Sequence, residues 1–218
     1  MSNATPETSD EEQLYRLLAR TRQLHSAVAK VTSEIVPVAE TRFIVSFQSG
    51  VLSIEHAISA SALLKLELYA SGFSLYRPQF ETLVRGIWLL HAADDKWVAK
   101  LSLPLTVENA AKANQTPMLN EMLVELDNSE APKHLVVQLV HYRDVTWKAL
   151  NSFAHGGIHP ISRTIEGYPP RLAMDAVRNS NALVATAAQL ISIVSCESPD
   201  MEMVRQLHTD FKDCIPII

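Results

Sequence analysis

The chain has 218 residues and a formal net charge of −5 at pH 7; the length suits one domain, and the balance argues against a general nucleic-acid coat while leaving a local basic patch open. Apolar residues make up 47% of it, aromatics only 6%, and glycine is scarce at six residues, a composition that favours helices over sheets. Two cysteines, Cys196 and Cys214, match neither a disulfide framework nor a zinc motif, which fits a reducing, cytoplasmic setting.

The start, MSNATPETSDEEQ, is polar and acidic and lacks the apolar stretch of a signal peptide. Residues 1–8 are read as a disordered tail and 9–218 as a single all-α domain. Ser9 or Asp10 can cap a first helix, with Glu11 and Glu12 favourable in its first turn. Leu14, Leu17, Leu18, Leu24, Val28 and Val31 give it an apolar stripe, and it ends before Pro37. A second long helix is expected over about 38–70, loosened near Ser49-Gly50 and stopped by Ser71-Gly72. The apolar stretch from Val51 to Ala70 contains Glu55, His56, Lys65 and Glu67, too polar for a membrane span, so it reads as a core helix and no membrane partner is expected.

A third helix spans about 75–93, with Pro78 in its first turn. Between Leu75 and Leu90 its only charged residues are Arg77, Glu81 and Arg85, at i, i+4 and i+8, so they stack along one side; Phe80, Leu83, Ile87 and Leu90 form the apolar side. A surface ion-pair ladder accounts for that pattern. A covered strip would need a partner, because a buried Arg-Glu-Arg row is costly alone. It could hold a phosphate or a carboxylate, or face Asn151 and His155 across one cleft.

Residues 94–128 read as short helices with breaks near Pro104 and Pro117. Pro132 opens a helix that ends at His155-Gly156-Gly157. A loop rich in Gly and Pro is expected over 156–170, then a last long helix over about 171–194 and a short one over about 199–213. No run alternates at period two. The expected architecture is an all-α bundle of four to five long helices with short helices inserted in the middle.

On a wheel of the 132–155 helix, Asn151, Lys148, Asp144 and His141 fall within about 40° of His155. Leu139, Tyr142, Thr146, Ala149, Leu150 and Phe153 cluster opposite. A solvated face explains such a stripe, and a histidine followed by glycine is an ordinary helix end. The sharper reading makes Lys148, Asn151 and His155 the lining of a cleft or a dimer seam that continues into Gly156-Gly157 and His159-Pro160.

The segment Tyr142-Arg143 followed by Leu150-Asn-Ser-Phe-Ala-His155-Gly-Gly resembles the C-terminal motif of a group of uncharacterised bacterial helical proteins, which in turn resembles HEPN domains. The likeness covers about Gly50 to Leu190. It implies a helical bundle that dimerises, and in many members a metal-independent ribonuclease of stress or phage defence. The motif of that group places an arginine ahead of a histidine near a helix end. The histidine would handle protons and the cation would steady the scissile phosphate. Here His155 matches. The cation at that spacing is Lys148, six residues intervening, and lysine lacks the planar fork of arginine. Arg143 lies farther along and about 120° round the helix. Asn151 is the polar neighbour.

His155 and His159 stand at HxxxH spacing, but Gly156, Gly157 and Pro160 argue against one helix through both, so neither a metal nor a cofactor is expected and His159 counts only as a ligand-lining residue. No GxSxG, P-loop or dinucleotide fingerprint occurs. Whether the chain is an enzyme stays open. Three readings remain: a HEPN-like protein acting on RNA or nucleotides, a non-catalytic homodimeric module that regulates a protein partner, and a small-molecule binder using the cleft between helices 75–93 and 132–155.

Overall fold

The computed structural model describes residues 8–104, 106–112, 116–195 and 201–216. The expected tail falls mostly outside these residues; Thr8 is inside, its carbonyl accepting from the Gln13 side chain at 2.9 Å. The fold is all-α. In chain order its helices are α1 (Asp10–Thr32), α2 (Thr41–Lys65), α3 (Tyr69–Ser74), α4 (Tyr76–His91), α5 (Asp95–Leu101), α6 (Val107–Lys112), α7 (Leu119–Asp127), α8 (Lys133–Ala154), α9 (Ile158–Glu166), α10 (Pro170–Ile193) and α11 (Met201–Asp210). Among the described residues the only extended pairing is an isolated bridge between Pro37 and Ser195.

Local chemistry sets most boundaries as expected. Ser9 caps α1 by accepting from the Glu12 amide at 3.2 Å, and three acids follow in the first turn. Pro132 precedes α8, and Pro170 opens α10.

Two expectations need correction. The second helix stops at Lys65, short of Ser71-Gly72, which lie inside α3. Glu67 takes the left-handed conformation at φ 61°. The Leu68 amide then donates to Leu63 O at 2.9 Å and the Glu67 amide to Leu64 O at 3.0 Å, closing the helix end without a glycine. Ser49-Gly50 does not loosen α2 either. A Cβ on Gly50 would stand 3.1 Å from Ile191 Cγ1, so the missing side chain admits α10. The second correction concerns 156–170, expected as a loop. Its middle forms α9, because Pro160 sits in the first turn, where no amide partner is needed.

The core centres on α10, which packs against α1, α2, α4 and α11. Phe80, Leu83, Val84 and Trp88 of α4 are buried with Val184, Ala187, Ala188 and Ile191 of α10 in one apolar cluster. Two polar links run through it. Gln79 donates to Ser180 O at 3.0 Å and accepts from Ser180 Oγ at 2.8 Å. Asn181 donates to Thr21 Oγ1 at 2.8 Å and to Cys214 O at 2.9 Å. Cys214 is buried, and burial pushes its thiol up to about 11, which suits a structural thiol. Cys196 lies outside the described residues. No described helix is long and apolar enough to cross a membrane.

Candidate functional site at the α4–α8 seam

Aromatic packing brings the start of α4 to the end of α8. Phe80 of α4 meets Tyr142 of α8 at 4.6 Å between ring centroids. Phe73 of α3 meets Phe153 of α8 at 4.9 Å, and Tyr168 closes the cluster by stacking on Tyr69 at 5.1 Å. Leu139, Leu150 and Phe153 bury the apolar side of α8. That fixes the opposite, polar side toward the surface, with Trp147 and the final turn turned to α4.

His155 is the terminal cap of α8, and Gly156 follows at φ 65°, a conformation that glycine adopts without strain. The chain then reverses into α9. Ser152 anchors the reversal, accepting from the Gly157 amide at its carbonyl (2.7 Å) and from the His159 amide at its hydroxyl (3.0 Å). His159 lies exposed in the first turn of α9, its ring 6.1 Å from Phe153.

At this end of α8, Arg77 of α4 donates from Nη1 to His155 Nε2. An arginine can only donate, so in this contact Nε2 is the acceptor. The same guanidinium lies 5.1 Å above the Trp147 ring and pairs with Glu81 at 3.1 Å. Arg77, Glu81, Trp147 and His155 therefore form one cluster across two helices. The Arg77 and Glu81 side chains keep about a quarter of their surface, with relative exposures of 22% and 27%.

The remaining candidates sit around this cluster without joining it. Asn151 is half-buried, and its Oδ1 is covered and finds no hydrogen-bond partner among the described residues. Arg85 is half-buried with its Nε also covered and unpartnered; burial holds it below the ordinary arginine value, opposed by Glu81. Lys148 is exposed and forms no ion pair among the described residues. Arg143 is engaged elsewhere, with Asp144 at 2.7 Å and Asn120 at 2.9 Å. Among the described residues, no group of three or more His, Cys, Asp or Glu could hold a metal.

The cleft between α4 and α8 opens at their other ends, as a groove of about 440 Å³ that includes Ile87, His91, His134 and Gln138 together with α10 and α11. His155 does not line it. Nothing in the sequence signals that Arg77 would lie over the face of Trp147. Sequence reasoning missed Ser152 altogether.

Residues 50–217 match a family of unknown function (DUF6988). No curated protein and no solved structure matches the chain.

Proposed function

We propose that this chain, which belongs to that family of unknown function, binds and cleaves a phosphodiester of single-stranded RNA at the α4–α8 seam, in the way the HEPN likeness implies. The observation that carries the reading is the contact from Arg77 to His155 Nε2. It supplies, from a second helix, the arginine that α8 lacks at the spacing of the HEPN motif. It also leaves His155 with an unprotonated Nε2, the form a general base needs.

The chemistry follows from those two side chains. An incoming phosphate competes for Arg77, whose planar fork suits phosphate oxygens better than one ring nitrogen. Arg77 shifts to the phosphate and steadies its developing charge. Nε2 is then free to take the proton of the ribose 2′-hydroxyl, whose oxygen bonds to phosphorus as the P–O5′ bond breaks, giving a 2′,3′-cyclic phosphate and a 5′-hydroxyl that takes its proton from water. Trp147 offers a face on which a flanking base can stack. Lys148 adds positive charge at the rim.

The test is cleavage of a short single-stranded RNA by the purified chain. His155→Ala and Arg77→Ala are each expected to lose about a hundredfold or more in rate, and wild-type expression should slow growth while His155→Ala does not. An inert wild-type protein, or an Arg77→Ala protein of full activity, overturns the reading.

A second reading, a homodimeric interaction module, has its own observation. Ile158, Ile161 and Ile165 recur at i, i+3 and i+7 on α9 and are 76%, 58% and 81% exposed. That row begins three residues after His155, so a second copy packed on it would border the same site.

A further inference from the structure

A second groove lies between α1 and α2, away from the α4–α8 seam. It holds about 510 Å³, within the range of small-molecule sites, and is lined by Tyr15, Leu18, Ala19, Arg22, His25 and Ser26 of α1 with Ile58, Ser61, Ala62 and Lys65 of α2. Small residues keep it open: Ala19 and Ala62 leave room that larger side chains would fill.

Its polar groups are unspent. His25 is only 7% exposed, and its Nε2 is covered with no hydrogen-bond partner among the described residues. A buried polar atom without a partner is costly, and a ligand group that meets it removes the cost. Among the described residues Arg22 and Lys65 form no ion pair, and the side-chain hydroxyls of Ser26 and Ser61 make no hydrogen bond. At the Lys65 end the Glu67 carboxylate is taken by the Tyr15 hydroxyl at 3.1 Å. The floor, Leu18 and Ile58, is apolar.

We infer that the α1–α2 groove binds a small carboxylate with an apolar body. The carboxylate meets Arg22 and the His25 ring N–H, Lys65 adds attraction, and the apolar body lies on Leu18 and Ile58. His25 donates from Nε2, which the neutral ring can do as one of its two tautomers. This inference is independent of the α4–α8 reading, since the two sites share no residue.

The experiment is calorimetric titration of the full chain with octanoate, 1-octanol and inorganic phosphate at pH 7. Octanoate should bind and the other two should not, because each lacks half of what the groove offers. Arg22→Gln should weaken octanoate about tenfold. Ala62→Trp, at an exposed position that tolerates bulk without unfolding the core, should abolish binding and leave the melting temperature of the free protein unchanged. No heat with octanoate, equal binding of 1-octanol, or full binding by Ala62→Trp overturns the inference.

Discussion

Arg77 and His155, 78 residues apart in the chain, are joined by one hydrogen bond between the first turn of α4 and the cap of α8. That contact turns two separate sequence features, a charged strip and a helix-terminal histidine, into one group of side chains. Arg77 is held by three neighbours at once, the Glu81 carboxylate, the Trp147 face and the His155 ring. The Glu81 carboxylate and the Trp147 face keep the guanidinium at the seam when a phosphate takes the place of the His155 ring.

Trp147→Ala removes the surface beneath Arg77 and the platform for a base. RNA affinity, measured by fluorescence anisotropy, should fall about tenfold, and Trp147→Phe should recover part of the loss. Equal affinity for all three proteins would remove Trp147 from the site.

The α9 row tests the dimer reading separately. Wild-type protein should run as a dimer in light scattering, and Ile161→Asp should run as a monomer with unchanged helical content, because the side chain it replaces is exposed. A wild-type monomer at high micromolar concentration contradicts a dimer through this face.

His25 makes stability depend on pH. Burial lowers its folded value from 6.5 to about 4, so between those values the unfolded chain binds more protons than the folded one. Stability is therefore intact above pH 6.5 and falls as pH drops toward 4, by about 3 kcal/mol over the whole window. Urea titrations at pH 7 and pH 4.5 should show a steeper loss for wild type than for His25→Leu. The same loss in both proteins would place the acid sensitivity elsewhere.

Ser180→Ala breaks the polar link across the core. It leaves Gln79 Oε1 buried without its 2.8 Å donor and should cost about 1–3 kcal/mol in urea denaturation. RNA cleavage should be unchanged at temperatures where the variant stays folded, since Ser180 bonds the buried Gln79 and not Arg77.

The helices that read clearly in the sequence are those with conventional punctuation. Ser9 before α1, Pro132 before α8 and Pro170 at the start of α10 each act as such residues act in isolation. The end of α2 was hidden because Glu67, not a glycine, takes the left-handed position. α9 was hidden because Pro160 breaks a helix interior but fits a first turn, and composition does not distinguish the two. At the site, the spacing of Arg77, Glu81 and Arg85 fitted a surface ion-pair ladder as well as a covered strip facing α8; Arg77 pairs with Glu81 and also meets His155, which spacing alone could not tell apart. Arg85 Nε and Asn151 Oδ1 meet no partner among the described residues. His25 was invisible because it continues the apolar period of Leu18, Thr21, Leu24 and Val28, and nothing in that row tells a buried histidine from an exposed one.

The most direct test of the central claim is a double-mutant cycle on RNA cleavage with wild type, Arg77→Ala, His155→Ala and the double variant. If the two side chains act as a unit, each single substitution removes nearly all of the rate and the double variant is scarcely worse than either. Losses that simply multiply, or a wild-type protein that leaves RNA intact, would contradict it.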